Sequence, residues 1–276
     1  MIKIGLTGST GILGNSLSKL VLSKKKYQLV KYKENILFKK KLHKWIEKNQ
    51  FDVIIHLAAL VPTKKATRNY NLSQKTNYQG TKNLVDGIIN FQKKKTYLFF
   101  SSSSHVYSFS NKIIDEKFLL KGISKYGKTK VKAERYIHKK SNKIDTCIGR
   151  ISSLVSENQS KNYMLINLIY LGKKKLKLKF RNSNIKRNFI YVDDVSKIIL
   201  KLVEKKIKGI FNISSSQKTY FPNLFKFLNQ KYNFQIETRL KQKEYLLLSN
   251  KLLLNKIGKF KFTKLEQIIN KIYKKY

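Results

Sequence analysis

Cysteine occurs once, at Cys147, and proline twice in a chain of 276 residues. A lone cysteine excludes an intramolecular disulfide framework and fits a reducing compartment. Four histidines, His43, His56, His105 and His138, lack the spacing of metal ligands, so no metal is expected. No apolar run approaches the ~20 residues that a membrane-spanning helix needs. A strand-like run begins at Ile2 and leaves no room for a targeting segment, so the expected location is the cytoplasm.

Acidic residues are scarce as well. Asp and Glu number 15 against 60 Lys and Arg, a formal net charge of +45. Taken alone, that balance points to nucleic acid or another polyanion. Arginine, the better fork for phosphates and bases, occurs only at Arg68, Arg135, Arg150, Arg181, Arg187 and Arg239. Lysine is spread along the whole chain, beside abundant Asn, Ile, Tyr and Phe. This pattern reads as a coding preference, and no specific nucleic acid or membrane partner is expected. The hydrophobic fraction of 41% fits a folded globular protein.

What is present is a regular alternation of short apolar runs and helical patterns. Residues 2–7, 28–32, 52–59, 96–104 and 145–150 read as strands. Residues 12–22, 39–48, 77–91 and 126–139 read as helices, with apolar residues recurring on one face. Such alternation predicts an α/β fold with a parallel sheet covered by helices on both faces. After Arg150 the pattern loosens. Residues 163–171 and 195–203 read as helices, and 188–192 and 209–214 as strands. The lysine run 173–179 reads as a solvated edge strand, and the remainder as short helices and loops.

Three local features carry chemistry. In "GLTGSTGILG", Gly8, Gly11 and Gly14 follow a strand and open a helix. Glycines there permit a tight turn and close approach to a pyrophosphate, and the helix start offers free N–H groups. "TYLFFSSSS" places serine hydroxyls at the carboxyl edge of the sheet, where ligands bind in this architecture. "SKYGKTK" places Tyr126 one helical turn before Lys130. A cation beside a phenol favours the phenolate and suits it to proton transfer near neutrality. By itself this last spacing arises readily by chance among so many lysines.

Together these features resemble the extended short-chain dehydrogenase/reductase superfamily of NAD(P)-dependent sugar-nucleotide epimerases, dehydratases and reductases. "TGSTGILG" is similar to its T-G-x-x-G-x-x-G turn, and "DVIIHLAA" to the strand beside the adenosine half of the cofactor. "NYQGT", "SSSSHVY", "YGKTK" and "KRNFIYVDDV" resemble further motifs of that branch, in the same order. The resemblance implies a Rossmann-like doubly wound parallel sheet with a small C-terminal substrate-binding subdomain. Residues 1–155 would form the NAD(P)-binding domain. Residues 156–276 would form the substrate-binding portion, with segments near 185–215 returning to the first domain. Tyr126 is implied as the acid/base, Lys130 as its modulator and ribose ligand, and Ser103 as the group orienting the substrate oxygen. Gly8, Thr10, Gly11, Ile12, Leu13, Gly14, Leu57, Ala58 and Ala59 are implied in cofactor binding, and Ser104, Ser153 and Arg187 in substrate binding. A homodimer is the expected assembly.

The chain also departs from the pattern. Ser108 follows the V-Y pair where the family usually has Gly. Ser153 stands for a usual Asn, and Asn188 for the Asp of R-D-F. No acid marks the end of the second strand; Lys31 and Lys33 flank that place instead, which leans the expected cofactor, NAD or NADP, toward NADP, with Glu34 the acid that could fold back to serve NAD. Ser104 and His105 occupy the places where dehydratases carry Asp and Glu, so the reaction is expected to be epimerisation or keto-reduction of a sugar nucleotide or related polyol. The competing reading is a redox-silent dinucleotide sensor or RNA-associated protein on the same fold.

Overall fold

The computed structural model describes residues 1–61 and 70–276. Its strands are β1 (Ile2–Thr7), β2 (Tyr27–Tyr32), β3 (Val53–His56), β4 (Tyr97–Ser103), β5 (Asp145–Ile151), β6 (Ser153–Val155), β7 (Leu178–Phe180), β8 (Ile185–Arg187), β9 (Phe189–Tyr191), β10 (Gly209–Ile213), β11 (Thr219–Tyr220), β12 (Ile236–Thr238) and β13 (Glu244–Leu246). Its helices are α1 (Ile12–Leu22), α2 (Lys39–Asn49), α3 (Tyr70–Gln74), α4 (Gly80–Phe91), α5 (Lys125–Lys139), α6 (Met164–Lys173), α7 (Val192–Glu204), α8 (Phe221–Tyr232), α9 (Lys251–Ile257) and α10 (Leu265–Lys275).

Six strands form one sheet in the spatial order β10-β5-β4-β3-β1-β2, and every neighbouring pair is parallel. Chain order reverses between β1 and β3, which makes the carboxyl ends of these two strands the switch point where ligands bind in open α/β sheets. The strands are buried on both faces. Tyr97 and Phe99 of β4 pack with Leu17, Val21, Ile198 and Leu202 on one side. Leu98 and Phe100 pack with Leu42, Ile46, Leu84, Ile88 and Ile137 on the other. The two-residue alternation of a strand thus feeds two helical layers. The expected doubly wound parallel architecture is the one observed.

Local outcomes differ in places. The helix read over 77–91 is reached through α3 and a π-helical turn, Lys75–Gln79. The lysine run 173–179 is not one edge strand. Lys173 ends α6, the chain turns with Lys175 at φ 56°, and β7 begins only at Leu178, whose side chain is buried. The C-terminal part carries more order than its sequence indicates. β12 pairs with β7, and β13 and β11 flank β8. Among the described residues no helix is long and apolar enough to cross a membrane.

Candidate active site

The carboxyl ends of β1, β3, β4 and β5 open into one cavity of about 900 Å³. The glycine turn forms its floor at one end. Gly8 has φ +74°, and a Cβ there would stand 2.5 Å from the Ala58 nitrogen. A Cβ on Gly14 would stand 2.1 Å from the Gly8 carbonyl oxygen. Side chains are excluded at both places, so the turn keeps bare backbone at the start of α1. Thr10, Gly11, Ile12 and Leu13 line the same end, with Leu57, Ala58 and Ala59 facing them across the β1–β3 switch.

The segment after β3 is held from outside. Asn77, buried in the π-helical turn, accepts from the Leu60 N–H at 2.7 Å and donates to the Leu60 carbonyl at 3.1 Å. Its amide also donates to Thr129 Oγ1 at 3.0 Å, which ties this loop to α5.

Helix α5 brings in the next groups. Ser124 caps it, its Oγ accepting from the Gly127 N–H at 3.0 Å. Tyr126, Lys130 and Glu134 follow at helical spacing on one face. Ser103, Ser104, Tyr126 and Lys130 all line the cavity. Lys130 is 2% exposed. Burial lowers its pKa to about 7, with Glu134 acting in the opposite direction. Tyr126 behaves differently from the sequence-based expectation. Burial raises its phenol above the ordinary range, and the group that counters this is the Ser103 hydroxyl, not Lys130. The reason is geometric: Lys130 Nζ is turned to the Ser101 carbonyl at 2.7 Å.

Behind these groups lies a buried ion pair. Arg150 Nη2 donates to Glu134 Oε2 at 2.7 Å, and Ser102 Oγ donates to Glu134 Oε1. Arg150 Nη1 also donates to the Tyr107 hydroxyl at 2.8 Å, and that hydroxyl donates to Asn212 Oδ1 at 2.7 Å. The network ties α5 to β4, β5 and β10.

At the far end stand Ser153 and Arg187. The Arg187 guanidinium lies over the Phe109 ring and 3.7 Å from Glu244 Oε2. Burial lowers its pKa to about 10, against the pull of Glu244. Asn188, at the position of the usual Asp, is structural. It donates to the Ser215 and Gln217 carbonyls and accepts from the Leu248 N–H at 2.8 Å.

One predicted cofactor residue is misplaced. Lys33 lines the cavity but Lys31 does not. β2 still runs at Lys31, paired beside Leu6, and the chain turns into the cavity only from Tyr32 onward. Glu34 and His105, both noticed in the sequence but not assigned to the site, also line the cavity, and sequence reasoning missed Asn35, Ser152, Gln159, Asn162 and Tyr163. His105 was visible as the residue after two site serines. The stretch from 159 to 163 carries no motif. Among the described residues no cluster of His, Cys, Asp and Glu is arranged to hold a metal.

A profile of the NAD dependent epimerase/dehydratase family matches residues 4–214, most of the chain. The chain belongs to that family, a group of NAD(P)-dependent Rossmann-type enzymes. Along 99% of its length it is 25% identical to the GDP-6-deoxy-D-talose 4-dehydrogenase of Aggregatibacter actinomycetemcomitans, of which it covers 97%. It is similar in fold to UDP-glucuronic acid 4-epimerase from Bacillus cereus, solved with UDP-glucuronic acid and NAD, at TM-score 0.88, 19% identity and full coverage of both chains. The same holds for RMD from Pseudomonas aeruginosa complexed with NADPH, at TM-score 0.86, 18% identity and full coverage of both chains.

Proposed function

We propose that this chain interconverts a carbinol and a carbonyl on the hexose of a sugar nucleotide, using a nicotinamide dinucleotide. The observation that carries this reading is the meeting of Ser103, Tyr126 and Lys130 with the bare glycine turn in one cavity. The turn at Gly8 and Gly14 fits a pyrophosphate, because no side chain can occupy it. Lys33 would face the adenosine ribose, and Lys130 the nicotinamide ribose. The bound dinucleotide supplies the two-electron redox chemistry.

The chain's own residues handle the proton. Ser103 Oγ and the Tyr126 hydroxyl would hold the reacting oxygen of the sugar. Tyr126 gives its proton to that oxygen as a carbonyl is reduced, and takes it back as a carbinol is oxidised. Lys130, whose charged form burial disfavours, would contact the nicotinamide ribose beside Tyr126. Arg187 would pair with the diphosphate, exchanging part of its contact with Glu244 for it. Residues 156–276 would supply most of the substrate side. Net oxidation or reduction is favoured over epimerisation, because one relative that matches in sequence along nearly the full chain is named a 4-dehydrogenase.

The test is turnover of a panel of NDP-hexoses and NDP-4-keto-6-deoxyhexoses, followed by nicotinamide absorbance. Tyr126→Phe should abolish turnover by about a hundredfold or more while dinucleotide binding survives. A Tyr126→Phe enzyme that keeps most of the wild-type rate refutes the assignment.

A further inference from the structure

His105 has no part in the reading above, yet it stands in the middle of the cavity. Its backbone N–H donates to Ser103 Oγ at 3.2 Å, which ties its position to that hydroxyl. Its ring meets the Tyr126 ring edge-on, with centroids 5.9 Å apart. The Arg187 charge also acts on the ring. The imidazole thus touches the proposed proton carrier and lies within electrostatic reach of the proposed diphosphate clamp.

The two ring nitrogens are in different situations. Nδ1 lies 3.1 Å from Ser124 Oγ. That oxygen already accepts from the Gly127 N–H, so its own proton is available to donate to Nδ1. A neutral imidazole that accepts at Nδ1 carries its proton on Nε2. Burial, reinforced by Arg187, lowers the ring's pKa to about 4, so it is neutral at neutral pH. Among the described residues nothing is hydrogen-bonded to Nε2.

We propose that His105 is a substrate-binding residue. Ser124 fixes it as the Nε2–H tautomer, and Nε2–H donates to a sugar oxygen on the carbon beside the one that reacts. The inference rests on the proposed function, because it takes the sugar to span from Tyr126 to Arg187. It adds a specificity rule: the substrate carries a hydroxyl or carbonyl oxygen at that neighbouring carbon. A deoxy analogue would leave a desolvated donor unpaired, which is the arrangement that discriminates most strongly.

Two measurements test it. The first needs no substrate. Nitrogen NMR of histidine-labelled protein should show the Nε2–H tautomer for His105. Ser124→Asp keeps a good helix cap but can only accept, so it should reverse the ring to Nδ1–H. A wild-type ring that is already Nδ1–H, or is an imidazolium at neutral pH, overturns the proposal.

The second is calorimetric binding in the Tyr126→Phe background, where turnover does not interfere. The probe is the tightest-binding member of a panel of NDP-hexoses and NDP-6-deoxyhexoses. His105→Leu should weaken it about tenfold. His105→Gln, whose amide N–H reaches a similar point, should recover most of that loss. Dinucleotide affinity should be unchanged in both. Equal sugar-nucleotide affinity in the Leu variant and its parent overturns this inference alone. Failure of the wild-type chain to bind any sugar nucleotide overturns the proposed function and this inference with it.

Discussion

Lys130 Nζ donates to the Ser101 carbonyl at 2.7 Å and stands 4.6 Å from the centroid of the Phe100 ring. One carbonyl and a ring do not replace the water that an ammonium loses on burial, so the charged form is disfavoured and the pKa falls from 10.5 to about 7. In the unfolded chain the amine keeps its ordinary value. Between the two values the unfolded state binds more protons than the folded one, and stability rises with pH. Below about 7 both states are charged, and the cost of burying the charge is present in full. Lys130→Met removes this dependence. In cofactor-free protein, the urea midpoint of the wild type should therefore gain on that of Lys130→Met as pH rises from about 7 toward 10.5. Parallel pH profiles for the two proteins would show that Lys130 is not buried as a depressed amine.

Glu134 and Arg150 form the buried ion pair of the site, each side chain 3% exposed. Glu134→Gln would leave the guanidinium without its counter-charge in a dry environment. Breaking a buried pair from one side costs about 3–5 kcal/mol. Replacing both partners, as Glu134→Leu with Arg150→Met, removes both desolvation penalties and should cost less than the single change. Chemical denaturation of the three proteins checks this. A double variant that loses as much as Glu134→Gln, or more, would mean that the pair is not the linked unit its geometry describes.

The cofactor end makes a separate prediction. Lys33 lines the cavity, while the Glu34 carboxylate next to it is 3.1 Å from Lys41 Nζ. A ribose 2′-hydroxyl would compete with Lys41 for Glu34, whereas a 2′-phosphate meets Lys33 directly. NADPH should bind more tightly than NADH. Both lysines are exposed, so screening keeps the preference modest, about tenfold at low salt. Lys33→Glu should reverse it. A large preference for NADH in fluorescence titrations of the wild type would contradict this reading.

Much of this site was legible because it depends on short-range rules. A glycine triplet between a strand and a helix has few uses. A serine-ended strand and a helix carrying Tyr126 and Lys130 had to meet at the same sheet edge once the parallel order was set. Long-range facts were not legible. Whether Lys130 would tune Tyr126 depended on where Nζ turned, and it turned to the Ser101 carbonyl. Lys31 failed because one residue decides whether a side chain lies along β2 or in the cavity. The run from Lys173 mixes a helix end with a strand start, and lysines mark neither boundary. Asn188 looked like a weakened site residue, but its amide satisfies three backbone groups that only the folded chain brings together.

The last prediction concerns a reaction that the family's name includes and this cavity does not support. Eliminating water from a hexose needs a base for the carbon-bound proton and an acid for the departing hydroxyl, in addition to the tyrosine. The two positions after Ser103 hold Ser104 and His105. Ser104 is not an acid at neutral pH, and burial lowers the His105 pKa to about 4, which makes it a weak base and leaves no acid beside it. Asp115 and Glu116 do not replace the missing pair. Asp115 accepts from the Lys117 N–H, and Glu116 from the Asn212 N–H at 2.8 Å, outside the cavity. Among the described residues lining the cavity the one carboxylate is Glu34, at the cofactor end beside Lys41. Incubation with common NDP-hexoses and NAD or NADP should therefore give no 4-keto-6-deoxy product, by mass spectrometry and NMR. Ser104→Asp with His105→Glu would supply the absent carboxyls, and any dehydration should appear only in that double variant. A wild-type product lighter by one water would show that a proton-transfer pair operates here from residues other than these.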